Sequence, residues 1–274
     1  MSEKLKASIG VFWINTVCTL RCKRCITLTP YHKNPINYPK ENIFNDIDSF
    51  FEIYECIDHF DIEGGESLLH LDLPAIINKA FEYKHCFKRL HILTNGTVVP
   101  SQQLIDSCKN REIFFIVDDY GDLSNKKAEL VDILEKNNIE YRVDKYYGED
   151  QYFNGWVDFG DMKHKNYTAE EIQCVFNNCR QAQISAPYIK DGKIFLCSIQ
   201  AARIEYIPLI EGEYIDLTDK SVTLDERRNI ARNFGKRPLS SCKFCQGFDA
   251  ENGQRYPAAE QLLSKTDEEL KICL

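Results

Sequence analysis

Seven of the chain's 12 cysteines fall into two spaced sets. Cys18, Cys22 and Cys25 form a C-x3-C-x2-C loop. Three thiolates on one short loop can bind three corners of a cube-shaped iron–sulfur cluster, leaving the fourth iron without a protein ligand and open to a small molecule. Zinc is the competing reading, but a structural zinc site wants four closed ligands, and the nearest further candidate, His32, lies well beyond Cys25. The second set is Cys179, Cys197 and the pair Cys242 and Cys245. Four thiols can close a cluster completely, or hold a zinc ion. Between the sets lie Gly64-Gly65-Glu66, Thr94-Asn95-Gly96 and Asp118-Asp119-Tyr120-Gly121. Each alone reads as a turn.

The elements before these signals give them meaning. Ser8 to Val17 is apolar and β-branched, suiting a buried strand, and the first cysteines follow it. Asn42 to Cys56 repeats Ile43, Ile47, Phe50, Phe51 and Tyr54 at helical spacing. A strand from Phe60 to Glu63 then ends at Gly64-Gly65. Helix from Leu73 to Lys84 precedes a strand, Leu90 to Leu93, that stops at Thr94-Asn95-Gly96. A further helix, Ser101 to Lys109, leads to the strand Ile113 to Val117, which ends at Asp118-Asp119. Ser124 is suited to cap a helix running to Asn137, and Ile139 to Val143 reads as the next strand. Alternating strands and helices argue for a parallel sheet, and in such folds chemistry collects at the carboxyl ends of the strands. Those ends carry every signal named above.

The rhythm breaks at Tyr146 to Met162, a Gly-, Asp- and aromatic-rich loop. Thr168 with Glu171, and Thr223 with Glu226, are capping boxes opening two helices. Ala186 to Leu196, with Asp191-Gly192 at its middle, reads as a hairpin with a type I′ turn. A last amphipathic helix is predicted over Ala258 to Leu270. Cys56, Cys108 and Cys174 are expected to be small core residues on helical faces; Cys86 and Cys273 have no assigned role.

The 274 residues are 43% hydrophobic and 28% charged, an ordinary globular composition that excludes a disordered or collagen-like chain. A formal charge of −8 argues against a sequence-independent grip on nucleic acid. No cleavable signal pattern and no apolar run of the ~18 residues a membrane span needs is evident. The expected compartment is a reducing cytoplasm, where cysteines hold metal in preference to each other.

The cysteine loop after the first strand, with Gly64-Gly65-Glu66 and Thr94-Asn95-Gly96 at successive strand ends, resembles the radical SAM superfamily. The residue before the third cysteine is Arg24 where that family usually has an aromatic, and Ser67 replaces its proline. The resemblance implies a partial (β/α)6 barrel, a [4Fe-4S] cluster on Cys18, Cys22 and Cys25, and S-adenosylmethionine held by Gly64, Gly65, Glu66, Thr94 and Asn95. The second set resembles the SPASM/twitch appendage, in which a C-x(n)-Gly-x4-C hairpin carries an auxiliary [4Fe-4S] cluster, here on Cys179, Cys197, Cys242 and Cys245. The implied division is a core over 1–165, a twitch-like domain over 166–250 and a C-terminal helix over 251–274.

The implied chemistry is hydrogen abstraction by a 5′-deoxyadenosyl radical from a sugar, aminocyclitol or nucleotide-linked sugar. Similarity to the 2-deoxy-scyllo-inosamine dehydrogenase-like enzymes favours oxidation of an alcohol to a ketone, with the auxiliary cluster taking an electron. Radical epimerisation with a cysteine hydrogen donor is the alternative. Peptide modification is less favoured, because no leader-recognition domain fits before Cys18. Partners would be a carbohydrate-like small molecule and an external one-electron donor such as flavodoxin or ferredoxin, with no nucleic acid and no membrane. Substrate candidates at later strand ends are Asp118, Asp119, Tyr120, Arg142, Asp144 and Lys145, followed by Trp156, Asp158 and Arg203 in bridging segments. Arg142 and Arg203 offer the fixed donors that suit a polyhydroxylated or phosphorylated ligand. A non-catalytic zinc-binding interaction module is the contrasting reading.

Overall fold

The computed structural model describes residues 3–184, 186–204, 206 and 212–262. Five βα steps open the chain: β1 (Leu5–Trp13), α1 (Lys40–Ile53), β2 (Tyr54–Glu63), α2 (Leu73–Phe81), β3 (Phe87–Thr94), α3 (Gln102–Cys108), β4 (Ile113–Asp119), α4 (Lys127–Lys136) and β5 (Glu140–Lys145). The strands pair in parallel in the order β5-β4-β3-β2-β1. Period-two alternation gives the sheet two faces of different character. One carries Phe12, Phe60, Ile62, Leu90, Ile92, Phe115 and Val117, which pack with Ile43, Ile47 and Phe50 of α1 into the main core. Phe12 stacks on Phe60 at 4.2 Å between ring centroids and meets Phe50 edge-on at 5.3 Å. The other face is polar, bearing His59, Asp61 and Glu63 on β2, His91 on β3 and Asp118 on β4. His59 and His91 stack there at 4.5 Å, and His91 Nδ1 lies 3.0 Å from Asp61 Oδ1.

After β5 come β6 (Trp156–Val157), α5 (Ala169–Asn177), α6 (Arg180–Gln183), β7 (Tyr188–Lys190), β8 (Lys193–Phe195), α7 (Ser198–Arg203), β9 (Ile215–Asp216), α8 (Leu224–Asn233) and β10 (Arg255–Tyr256). Strand β7 pairs in parallel with β1, so it supplies the sixth parallel strand on the side of the sheet away from β5. The hairpin β7–β8 and strand β9 thereby continue the core sheet. The hairpin tip has Asp191 at φ 46° and Gly192 at φ 74°, the paired positive values of a type I′ turn. Gly192 N–H donates to Asp46 Oδ2 of α1 at 3.1 Å, which docks the tip on the core.

Both capping boxes form, Thr168 with Glu171 and Thr223 with Glu226. Ser124 does not cap α4, whose first turn begins after Lys126; its hydroxyl instead donates to the Asn95 carbonyl at 2.7 Å and accepts from Tyr120 N–H at 2.8 Å. The aromatic-rich segment after β5 is mostly loop, with β6 pairing antiparallel to β10. The last predicted helix is not formed over its described part. Ala259 sits at φ 54° and Gln261 bridges to Cys22, so this segment straps the cysteine loop; residues 263–274 lie outside the described set. Of the three cysteines expected on helical core faces, Cys108 is there and buried. Cys56 lies half-buried on β2, and Cys174 is exposed on α5. Among the described residues no helix is long and apolar enough to cross a membrane.

Candidate active site at the strand ends

A cavity of about 160 Å³ opens at the carboxyl ends of β1 to β4. Cys18, Cys22 and Cys25 line it from the loop after β1; Gly64, Gly65, Thr94 and Asn95 line it from the ends of β2 and β3. Asp118, Tyr120 and Trp156 complete its far side, with Trp156 meeting Tyr120 edge-on at 5.7 Å. Motifs far apart in sequence thus share one space.

The three thiols sit among donors. Cys18 Sγ accepts from Leu20 N–H at 3.4 Å and from Asn95 Nδ2 at 3.5 Å, and Cys22 Sγ accepts from Gln261 Nε2 at 3.2 Å. Cys25 Sγ lies 3.1 Å from Thr27 Oγ1. Burial, with Cys25 close by, pushes the Cys18 thiol up to about 11 and Cys22 higher still. Thiols so reluctant to ionise alone are ones that bound iron would hold as thiolates. With their N–H···S donors and an adjoining cavity, the residues fit a three-ligand cluster site.

The two glycines are required by the protein itself. A Cβ on Gly64 would stand 2.2 Å from Asn15 Oδ1, and one on Gly65 2.2 Å from the Val17 carbonyl oxygen and 3.1 Å from Cys18 Cβ. Only glycine lets the β2 end run beneath the cysteine loop. Gly65 N–H donates to Asn15 O and Oδ1 at 3.1 and 2.9 Å, and Glu66 N–H to Val17 O at 2.8 Å. Glu66, 1% exposed, turns its carboxylate inward: Oε2 accepts from Asn95 N–H at 2.8 Å and Oε1 from Leu68 N–H at 3.0 Å. Burial raises its proton affinity against these bonds and one from Thr94. Glu66 therefore ties the β2 and β3 ends together, while Gly64, Gly65, Thr94 and Asn95 face the cavity.

The substrate candidates separate. Asp118 faces the cavity and accepts from Tyr120 OH at 3.2 Å. Asp119 points the other way, where Lys127 Nζ and Gly121 N–H hold its carboxylate. Arg142, exposed on β5, donates from Nε to both oxygens of buried Asp144 at 3.1 and 3.0 Å. Lys145 pairs with exposed Asp150. Asp158 accepts from Tyr256 OH at 3.1 Å and Gly160 N–H at 2.8 Å. Arg203 is 5% exposed and donates to the carbonyls of Gly160, Asp161 and Phe244.

Cys179, Cys197, Cys242 and Cys245 gather around α7 and the turn Ser240–Phe244. Three accept backbone N–H bonds: Cys179 from Phe248 at 3.3 Å, Cys197 from Gln200 at 3.4 Å and Cys245 from Gly247 at 3.3 Å. Burial pushes the Cys242 thiol up to about 12, and Cys245 and Cys179 add to the rise. Cys197 is raised further, by burial and then by the other three. The set fits four thiolates around one cluster. Cys174 is exposed on α5, and its sulfur accepts from Asn178 Nδ2 at 3.7 Å. Among the described residues no three His, Cys, Asp or Glu side chains converge as a single metal ion requires; a four-iron cube spreads its thiolates wider. A second cavity, about 280 Å³, runs from Cys25 and Ile26 to Arg203 and Gln246, between the two cysteine sets.

Two residues of the site escaped sequence reasoning. Glu63, at the end of β2, lines the first cavity and accepts from Trp13 Nε1 at 3.2 Å. Its signal was the alternation Asp61-Ile62-Glu63, which puts both acids on the inner face. Gln261 was hidden in a predicted helix.

No family model matches this chain, and no curated protein does. Solved structures do. A structure of anSMEcpe with bound AdoMet is 12% identical, with a TM-score of 0.53 over 93% of this chain and 90% of that one. Another, of anSMEcpe with bound AdoMet and the Cp18Cys peptide, is 13% identical, with a TM-score of 0.52 over 97% and 95%. A structure of BtrN in complex with AdoMet and 2-DOIA is 16% identical, covering 94% and 99% at a TM-score of 0.48. The chain has the fold of the radical SAM enzymes: a mixed α/β architecture around a mostly parallel sheet.

Proposed function

We propose that the chain is a radical SAM oxidoreductase that converts an alcohol of a sugar-like small molecule to a ketone. One observation carries this reading: Cys18, Cys22 and Cys25 share a single cavity with the β2, β3 and β4 ends. When bound, the first cluster and S-adenosylmethionine would supply the radical chemistry that removes the hydrogen atom from the carbinol carbon, and the second cluster would accept the one remaining electron as the hydroxyl proton is lost to water. The protein's part is placement. Cys18, Cys22 and Cys25 would hold the first [4Fe-4S] cluster, and Gly64, Gly65, Thr94 and Asn95 would offer S-adenosylmethionine backbone and amide groups. Glu66 would act by fixing Asn95, its carboxylate being bonded to that residue's N–H. Cys179, Cys197, Cys242 and Cys245 would hold the auxiliary cluster, beyond the 280 Å³ cavity. Tyr120 and Trp156 would wall the reacting space against water.

Oxidation is favoured over inversion because an inverting enzyme needs a spare thiol at the substrate. Among the described cysteines, Cys56, Cys86, Cys108 and Cys174 line neither cavity. Under this reading the protein works in a reducing cytoplasm with an external one-electron donor such as flavodoxin or ferredoxin. The test is formation of 5′-deoxyadenosine from S-adenosylmethionine by iron-loaded protein under dithionite. Wild type should form it, and Cys18/Cys22/Cys25→Ala should not while remaining folded by circular dichroism. No cleavage by iron-replete wild type would overturn the reading.

A further inference from the structure

Cys22 is set apart from the other two thiols of its loop. It is 7% exposed, whereas Cys18 and Cys25 are half-buried. Cys18 takes its donors from Leu20 N–H and Asn95 Nδ2, and Cys25 lies beside Thr27 Oγ1. Cys22 takes its donor from Gln261, 239 residues along the chain. Backbone bonds lay that segment along the loop: Lys23 N–H donates to the Glu260 carbonyl at 2.7 Å, and Leu262 N–H to the Arg21 carbonyl at 2.9 Å. Ala259, 2% exposed, packs with Leu20 and Cys22 and holds φ 54°, a conformation that its surroundings must enforce on a residue with a Cβ.

The Gln261 amide is fixed in one orientation. Its Oε1 accepts from Arg21 N–H at 2.8 Å, so Nε2 is the atom that faces the sulfur. The two hydrogens on Nε2 go to Cys22 Sγ at 3.2 Å and to the Ala259 carbonyl at 2.7 Å. Cys22 is too deeply buried for water to replace this donor. Donors on the thiolates of an iron–sulfur cluster raise its potential, because reduction adds a negative charge that the N–H group stabilises.

We propose that Gln261 sets the reduction potential of the first cluster, raising it through the N–H···S bond to Cys22. This rests on the reading that Cys18, Cys22 and Cys25 hold a [4Fe-4S] cluster. Gln261 is a positioning residue: it acts through Cys22, and the single electron comes from the external donor with no bond made or broken in the protein.

The experiment is a dye-mediated reductive titration of the whole protein, reconstituted without oxygen and followed by the EPR signals of both clusters. The first cluster's signal is the one missing from Cys18/Cys22/Cys25→Ala. Gln261→Met is neutral and of similar length but donates nothing. Gln261→Glu keeps the acceptor for Arg21 N–H and puts an oxygen where the donor was. Both variants should keep about eight irons. At a fixed poise their first cluster should be about tenfold less reduced, a fall of about 59 mV for one electron, with the auxiliary cluster unmoved. The proposal is overturned if both variants keep the wild-type potential, or if the potentials of the two clusters fall together. It is also overturned if both variants lose the first cluster's iron, since Gln261 would then hold the loop without tuning it. Wild-type protein that binds no iron is a different failure, that of the cluster reading itself.

Discussion

Replacing Gly65 by alanine should empty the first cysteine site without unfolding the chain. The new Cβ would lie 2.2 Å from the Val17 carbonyl oxygen, where real contacts begin near 3.0 Å, so the backbone must open by 0.8 Å or more. The obstacle is main chain leading into Cys18 and cannot rotate away. Metal-site geometry tolerates only about 0.2 Å, so the Cys18 thiol leaves its place. Overpacking costs roughly 1–3 kcal/mol, and the Gly65 bonds to Asn15 add about 1 kcal/mol each when stretched. A loss of about 3 kcal/mol should lower Tm by roughly 6–12 °C in a chain of this size. Gly10→Ala on β1 is the control. Its Cβ would meet the side-chain ends of Ile57 and Phe50 at 3.0 Å, a milder strain in the core away from the cysteines. Thermal unfolding and iron content after anaerobic reconstitution read both effects: both variants lose stability, and only Gly65→Ala loses about four irons. A Gly65→Ala protein with full iron and an unchanged spectrum would refute the close-approach argument.

Other substitutions probe the remaining parts. Cys179/Cys197/Cys242/Cys245→Ala should lower reconstituted iron by about four per chain, whereas Cys174→Ser, exposed on α5, should leave it unchanged. Asp46 is 7% exposed, and burial first, then Asp191, hold its carboxyl up at about 7 against the Gly192 N–H and Lys193. Its folded-state proton affinity exceeds the unfolded one, so its contribution is favourable in acid and is lost as pH rises from about 4 through about 7. Denaturant titrations should show Asp46→Asn gaining on wild type across that window, by on the order of 2–4 kcal/mol; a pH-independent difference would contradict this. Thr223→Ala should cost about 1 kcal/mol through loss of the α8 capping box, with iron content unaltered.

Local rules made the site's framework legible. Hydrophobic periodicity located α1 to α4 and β1 to β5, and capping boxes and the Asp191-Gly192 turn fell where side-chain chemistry requires them. What escaped depends on long-range placement. Strand β7 is three residues long and carries little periodicity, so its parallel pairing with β1 could not be read locally. Gly64 and Gly65 suggested close approach, yet the approaching backbone is Asn15 to Cys18, which only the fold brings there. Arg142 and Arg203 looked free in sequence because their acceptors, Asp144 and three backbone carbonyls, are set by tertiary packing. The Ala258–Leu270 periodicity suited a helix, but tertiary bonds win at its start: Gln261 reaches Cys22 and Leu262 N–H reaches the Arg21 carbonyl at 2.9 Å.

The most direct test of the two-cluster account is iron, sulfide and zinc content, with an absorption spectrum, on protein reconstituted without oxygen, comparing wild type with Cys18/Cys22/Cys25→Ala. The account predicts about eight irons per chain in wild type and about four in the variant, with the charge-transfer absorption of [4Fe-4S] clusters falling in proportion. Zinc in place of iron, in a colourless protein, would contradict it and leave a metal-stabilised binding module.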